Sequence, residues 1–511
     1  MPLRPQNVSL WVATTPETSY PHLGQDGPAG VDVDVAVIGA GITGITTALL
    51  AKEAGATVAL LDADRVAAGV SGYTTAKVTS LHGLVYADLV KTFGEDGART
   101  YGEANQAALA RVVRFVDEHG IDCHLRRRAA YTYTEVPATV AAIEAEVEAA
   151  QRLGLPAAFT TDTDLPFDVA GAVRFDDQAL FHPREYCLAL AAAVPGDGSF
   201  VFETTRALDV DAGTPCTVRT DRGEVRAGHV VVATLLPFLD RGGFFAKCHP
   251  TRSYAMAVRV AGEATQGMYL SADAPTRSVR PHHHGEETLL VVSGEGHKTG
   301  QDPDTTRRYA ALEAWARDRY PVTAIEHRWS AQDYVPVDSV PYVGRLARGA
   351  EHLSVATGFK KWGMTNGTAA AMMISDAIVG RDNPWASFFD ANRLEVTASA
   401  REFVKENLDV ARRFVGDRIS SLGAPSVDDL APGEGAVVRV DGRAVAAYRD
   451  EDGAVHGVSP VCTHMACHVA FNTAEKSWDC PCHGSRFDIR GRVLSGPAVE
   501  DLEPRDARPG A

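Results

Sequence analysis

The chain lacks the marks of a membrane, fibrous or disulfide-stapled protein. No stretch of about 18 apolar residues runs free of charge, so no membrane-spanning helix is expected. Met1 to Thr15 has no basic region followed by a long apolar run and does not read as an export signal, so a cytoplasmic location is expected. Positive charge is in deficit. Lys and Arg number 50 against 66 Asp and Glu, and the formal net charge is -16. Such a field disfavours nucleic acid and anionic membranes as partners. Cysteine is sparse, with eight in 511 residues, too few for a disulfide scaffold. The apolar share of 45% and charged share of 23% are those of a globular chain, which excludes a largely disordered one. The length calls for two or three domains.

The pattern along the chain divides it. Residues 1–30 are rich in Pro and Gly and read as an irregular N-terminal extension. Val33–Ile38 is a short apolar strand, Ile42–Glu53 is helical, and Thr57–Leu61 is strand-like again, which makes one βαβ unit. Helical patterns over 84–119 and 136–153 alternate with strands at Val201–Glu203 and His229–Ala233, an α/β arrangement with helical and sheet insertions. Residues 390–424 read as a helical linker. Val404, Leu408, Ala411, Val415, Ile419 and Leu422 recur every three or four residues, a stripe expected to pack this helix on the main body. Pro425 and Pro432-Gly433 then break the chain. Asp441-Gly442 and Asp452-Gly453 separate short apolar runs, the signal of two-residue hairpins, so a small all-β domain is expected over 425–511.

Gly39-Ala-Gly41-Ile-Thr-Gly44 follows the first strand and opens the first helix, and Asp62 ends the next strand. In this setting Gly39 allows a tight turn, Gly41 lets the backbone approach a pyrophosphate, and Gly44 lets helix and strand pack closely. Asp62 can accept ribose hydroxyls. A second glycine-rich stretch, Gly294–Gly300, matches neither phosphate-loop pattern and reads as a turn, so NAD(P)H is not the expected electron source. The alternative reading of that stretch has His297 and Lys298 facing an active site. His282-His-His284-Gly-Glu286 could offer mononuclear iron two imidazoles and a carboxylate, but Pro281 and Gly285 favour a solvated loop. Near the C-terminus, Cys462-Thr-His464 and Cys480-Pro-Cys-His483 form a Cys/His array that zinc or an iron–sulfur cluster could use. Cys123, Cys187, Cys216 and Cys248 are scattered and read as buried thiols.

Two resemblances sharpen these readings. Residues 31–80 and 333–380 resemble the D-amino-acid oxidase and glycine oxidase group of FAD-dependent oxidoreductases. The resemblance lies in Ile38–Gly44, Gly69-Val-Ser-Gly-Tyr-Thr-Thr-Ala76, Asp338–Arg345 and Ala356–Gly367. It implies a Rossmann-like α/β FAD-binding domain of the glutathione-reductase type with an α+β substrate domain, over 31–389. The FAD-binding parts would be about 31–110, 180–245 and 325–389, and the substrate part 111–179 and 246–324. Gly39, Gly41, Ile42, Thr43, Gly44, Asp62, Ala63, Gly69, Ser71, Thr74, Thr75, Ala76 and Ala233 are the implied FAD contacts in the first part. Gly344, Gly358, Trp362, Gly363, Met364 and Thr365 are those of the last. Lys360 and Lys361 beside the flavin, with Tyr254 and His297, are the catalytic candidates. Arg252, Arg277 and Arg280 are candidates to hold a substrate carboxylate.

The stretch Cys462–Cys467 with Cys480–Ser485 resembles the disulfide-bearing Rieske type. This implies that Cys462 and Cys480 bind one iron of a [2Fe–2S] cluster, that His464 and His483 bind the other, and that Cys467 and Cys482 form a disulfide. Ser495-Gly-Pro-Ala498 resembles the loop that covers the cluster. Phe487 stands where high-potential members carry Tyr, and Ala466 where Gly is usual. Together the resemblances imply oxidation of an amine or amino acid at its C–N bond, with electrons passing from FAD to the cluster and on to an acceptor the motifs do not name. An electron-transfer module serving a partner protein, or an oxygen-using oxidase with a redox-sensing appendage, are the alternatives.

Overall fold

The computed structural model describes residues 7–284, 287–393, 403–410 and 426–507. The elements that build the sites are, in chain order, β1 (Gly30–Ile38), α1 (Ile42–Glu53), β2 (Val58–Leu61), α2 (Tyr86–Glu118), β3 (Phe200–Phe202), β4 (Glu224–Val232), β5 (Cys248–Val260), β6 (Arg277–His284), β7 (Glu287–Lys298), α3 (Thr306–Arg319), β8 (Val322–Pro336), β9 (Tyr342–Arg345), β10 (Leu353–Thr357) and α4 (Gly363–Ile378).

The first sheet has the order β9-β10-β4-β1-β2-β3, with the five strands from β10 to β3 parallel. Val35–Ile38 and β2 are buried throughout, as strands covered on both faces must be. Helices α1 and α4 lie close on this sheet. A Cβ at Gly367 of α4 would stand 2.5 Å from Thr43 Oγ1 of α1, so glycine is what permits the approach. The long α2 bends at Gly94, whose φ of 74° no helix interior adopts. The second sheet runs β8-β5-β7-β6, then Met268–Ser271, Arg126–Thr134, Gly171–Leu180 and Lys77–Val78. This is the expected α/β FAD-binding fold with an α+β substrate domain.

The C-terminal part is all-β, as expected. Gly435–Val440, Arg443–Arg449 and Val455–Val458 form one antiparallel sheet. Four short strands from Ala470 to Ser495 form another. Asp441 and Gly442 both take positive φ, 48° and 79°, the geometry a two-residue hairpin demands. This domain packs tightly on the flavin-binding body. Thr305 Oγ1 donates to Asn472 Oδ1 at 2.7 Å and Tyr309 OH to Glu475 Oε1 at 2.9 Å. The fully buried Arg252 lies 3.8 Å from Asp479. A Cβ at Gly300 would come within 2.9 Å of Asp479 O and Pro481 N, so the two parts meet backbone to backbone.

Three expectations are corrected. Arg277–His284 is a strand, because its backbone pairs with β7 along its whole length, and Pro281 is accommodated within it. His282 is buried there, edge-on to Trp11 at 4.9 Å. Gly285, Glu286 and the His284 side chain lie outside the described residues. Gly294–Lys298 is likewise strand, bulged where Glu295 takes φ 56°, and the turn comes at Gly300. On the linker helix Val404 and Leu408 are 54% and 52% exposed. Glu406 and Asp409 instead face the body and bind Lys298 Nζ at 2.6 and 3.1 Å. Charge pairing, not the apolar stripe, anchors this turn. Ala411, Val415, Ile419 and Leu422 lie outside the described residues. The N-terminal extension, irregular over residues 7–29 apart from one turn of helix at Leu10–Ala13, is anchored in the body: Trp11 is fully buried and its Nε1 donates to Thr74 O at 2.7 Å. No described helix is long and apolar enough to cross a membrane.

Candidate flavin and iron-sulfur sites

Strand β1 ends at Ile38 and α1 begins at Ile42, so Gly39–Gly41 turn the chain at the carboxyl edge of the sheet. Gly39 has φ 105°, and a Cβ there would stand 2.6 Å from Ala233 O. At Gly44 a Cβ would meet Gly39 O at 1.8 Å, so this glycine serves packing alone. At Gly41 a Cβ would touch only Ser71 Oγ, at 3.1 Å, and would otherwise take up space in a cavity of 1420 Å³. Gly41 offers no cap of its own, though Ser71 Oγ accepts the Ile42 N–H at 2.9 Å, and the positive end of the helix is directed into that space. Asp62 sits beside it. It accepts the N–H groups of Ala40 at 2.6 Å and Asp64 at 2.8 Å, and burial raises its carboxyl to about 6.

Of the residues expected at a flavin, Gly39, Gly41, Ile42, Thr43, Asp62, Ala63, Gly69, Ser71, Thr74, Thr75, Ala233, Trp362, Gly363 and Met364 line this cavity. Gly44, Ala76, Gly344, Gly358 and Thr365 do not. Gly358 has φ 77° and packs on Pro336, and Thr365 Oγ1 donates to Thr79 O at 3.1 Å. The N-terminus of α4 also opens on the cavity without a side-chain cap. A dinucleotide fits these features: a cradle that a side chain would fill, two helix N-terminal ends for anionic groups, and a carboxylate for ribose.

The far end of the cavity is lined by the second sheet. Tyr254 OH donates to His297 Nε2 at 3.0 Å, because His297 Nδ1 gives its proton to Lys298 O at 2.9 Å. Burial lowers the His297 imidazole below its ordinary range. Lys360 and Lys361 take φ 48° and 72° in succession, strain of the kind that gathers at functional sites. Lys360 Nζ donates to Ser339 Oγ at 3.0 Å. Lys361 reaches toward Gly296, and burial pushes its ammonium down against the pull of Asp333. The three arginines do not line the cavity. Arg252 donates to Ser330 and faces Asp479, Arg277 pairs with Glu295 at 2.5 Å, and Arg280 lies over Trp11 at 4.9 Å. Lys77 was not singled out from the sequence. It lines the cavity, is 8% exposed and is bonded to Ser278; burial lowers it to about 7, and among the described residues no carboxylate pairs with it. A lysine in a strand just after the Gly69–Ala76 segment was the available signal.

In the β domain, Cys462, His464, Cys480 and His483 converge from two loops. The imidazoles stand 5.1 Å apart, and neither Nδ1 has a hydrogen-bond partner although both are buried. The Cys462 sulfur accepts from the Cys480 thiol, from the N–H groups of His464 and Met465 and from Ser485. It is lowered to about 7, while the same bond and, after it, burial push Cys480 up. Two free thiols and two unpartnered imidazole nitrogens are the donor set a Rieske [2Fe–2S] cluster takes. Cys467 and Cys482 are joined in a disulfide of 2.06 Å. Their sulfurs therefore cannot act with Cys480 as a metal site, although the three lie within 4.8 Å. Ala466 takes φ 55°, which explains why glycine is usual there. The sequence did not reveal the flavin-domain groups over the ligands: Asp240 Oδ1 is 3.0 Å from His464 Nε2, and the Phe245 ring is 5.5 Å from His483.

The fold and these sites define a flavin oxidoreductase that carries an iron–sulfur domain. Residues 34–377 match the model of the FAD dependent oxidoreductase family and residues 422–504 that of the Rieske [2Fe-2S] domain; the chain belongs to that oxidoreductase family. It is 37% identical over 502 residues, 98% of this chain and 97% of the relative, to YhfW of Bacillus subtilis (strain 168), described as a Rieske 2Fe-2S iron-sulfur protein. It is 28% identical over 213 residues, 40% of this chain and 49% of the relative, to the gamma-glutamylputrescine oxidoreductase of Escherichia coli (strain K12). The crystal structure of glycine oxidase from Geobacillus kaustophilus shares the fold at TM-score 0.61 and 16% identity, over 71% of this chain and 99% of that one. The protein is thus an FAD-dependent oxidoreductase with a Rieske [2Fe–2S] domain.

Proposed function

We propose that the protein oxidises the C–N bond of an amine or amino acid and passes the electrons from flavin to its own cluster. The observation that carries this reading is shared space: Val493, Ser495 and Ala498 of the β domain line the same cavity as the Gly39–Thr43 turn and Tyr254. FAD supplies hydride acceptance when bound, and the cluster supplies one-electron transfer. The chain's own groups do the rest. Trp329 and Leu270 give the substrate end an apolar wall. Lys361 puts a cation there, suited to an anionic end of the substrate. Lys77, lowered to about 7, is available as the neutral amine and can take the proton of a substrate ammonium, as a base near its working pH does. His297 stays neutral and holds the Tyr254 hydroxyl in place. The gamma-glutamylputrescine oxidoreductase and glycine oxidase named above favour an amine or amino acid as substrate. The buried free thiols and acidic charge suit a cytoplasmic enzyme.

The test is anaerobic titration with a panel of amines and amino acids, following flavin absorbance and cluster EPR. Bleaching by one of them, with a reduced-cluster signal, is expected. A bleached flavin beside a cluster that stays oxidised would favour the oxidase with an appendage. No bleaching by any of them, with reduction only by a protein donor, would favour the electron-transfer module.

A further inference from the structure

Strand β8 forms a wall one residue thick between the two sites. Its odd positions, Trp329, Ala331, Asp333 and Val335, line the flavin cavity, and Gln332 reaches it as well. Successive side chains of a strand point to opposite faces, and the even positions Gln332 and Tyr334 turn to the loop that carries Cys480 and His483. Gln332 Nε2 donates to Gly484 O at 2.7 Å, and Tyr334 OH donates to His483 O at 2.7 Å. Both residues are buried. The amide of Gln332 can point only one way, because its Oε1 accepts from Thr299 Oγ1 at 3.1 Å and from Arg252 Nη2 at 3.5 Å. Gly484 has φ 76°. A Cβ there would lie 2.6 Å from Gln332 Nε2 and 2.7 Å from Tyr334 OH, so the loop sits as near the strand as backbone allows.

We infer that Gln332 and Tyr334 are positioning residues that clamp the cluster's ligand loop to the flavin wall and so form the electron path between the two centres. The inference rests on the reading that flavin reduces the cluster. In the step served, one electron leaves the reduced flavin and enters the oxidised cluster. The second follows once a one-electron acceptor has emptied the cluster. A continuous hydrogen-bonded path from cavity wall to ligand carbonyl needs no domain swing, and the packing at Gly300 leaves little room for one.

The test uses the holoenzyme and no substrate. Flavin is photoreduced anaerobically with deazaflavin and oxalate, and cluster reduction is followed by rapid-freeze EPR. In Gln332→Leu/Tyr334→Phe, flavin, iron and sulfide contents should stay at wild-type levels. The rate of cluster reduction should fall severalfold, because the loop loses both bonds that hold it to the wall. Thr305→Val, which removes interdomain bonds to Asn472 and Ala474 away from the ligand loop, should leave the rate unchanged. An unchanged rate in the double variant, or an equal fall in Thr305→Val, overturns the clamp. If the double variant fails to assemble its cluster, Tyr334→Phe alone, which deletes one oxygen, decides by the same rate. A wild-type cluster that stays oxidised beside reduced flavin refutes the flavin-to-cluster reading itself, and the clamp with it.

Discussion

Ser485 is buried, and its hydroxyl has two partners: it donates to the Cys462 sulfur and accepts the N–H of Ala498 at 3.0 Å. The proton therefore cannot turn to water. Reduction adds one negative charge to the cluster, and a hydrogen bond to a ligand sulfur strengthens as that sulfur gains charge. Hydrogen bonds to charged groups are worth about 1.5–3 kcal/mol, and we assign about 1–2 kcal/mol of this to the reduced state alone. For a one-electron couple about 59 mV corresponds to a tenfold change in equilibrium, so Ser485→Ala should lower the cluster potential by about 40–90 mV. The flavin potential should not move, since Ser485 does not line the cavity. The assay is an EPR-monitored redox titration of variant and wild type at one pH, with iron and sulfide content measured on the same samples. An unchanged or higher potential in a fully loaded variant would refute the argument, because it would mean that the hydroxyl does not favour the reduced cluster.

The glycines of the nucleotide turn should separate into two kinds. Gly44→Ala should destabilise the fold by several kcal/mol, since its Cβ would overlap Gly39 O, whereas Gly41→Val should keep the fold and lose FAD. Melting curves and flavin content distinguish the two, and flavin-loaded Gly41→Val would sink the cradle assignment. The apoprotein's affinity for FAD should be full above the Asp62 value of about 6 and should fall as pH drops through it, because a protonated carboxyl accepts ribose hydroxyls poorly. Asp62→Asn should be weaker and flat with pH, and a wild-type Kd that does not change across this range would contradict the ribose role. Ala466→Gly should stabilise the β domain by about 1–2 kcal/mol, the cost of holding an L-residue in the left-handed region. Urea unfolding of the holoenzyme followed by cluster absorbance would show it; lower stability would mean that other contacts set this turn.

Legibility followed sequence distance. The Gly39–Gly44 turn and the Cys/His array lie within a few residues of local backbone, so type and spacing identify them, and the structure brings both sets together. The misread segments failed for one reason. Pro281 and Gly285 marked His282 as a loop residue, but backbone pairing with β7 overrides a single proline. The stripe through Val404 and Leu408 has helical period, yet periodicity does not say which face meets the protein. Lys298, more than 100 residues earlier in the chain, draws Glu406 and Asp409 inward instead. The arginines expected at a substrate carboxylate went to Asp479, Glu295 and Trp11, partners no local pattern reveals.

The sequence by itself determined the cofactor chemistry, because nucleotide binding and iron ligation need particular residues at short spacings set by one turn and two loops. It also determined the class of each domain, through strand and helix periods and the Asp-Gly hairpins. Only the tertiary structure decided how the two chemistries meet. That depends on β8 lying between cavity and cluster, on Asp240 and Phe245 standing over the histidines, and on Lys77 reaching the cavity with no carboxylate among the described residues paired to it. These are contacts between segments as much as 238 residues apart in the chain, as Phe245 and His483 are. Their partners are chosen by packing, which one-dimensional spacing does not encode.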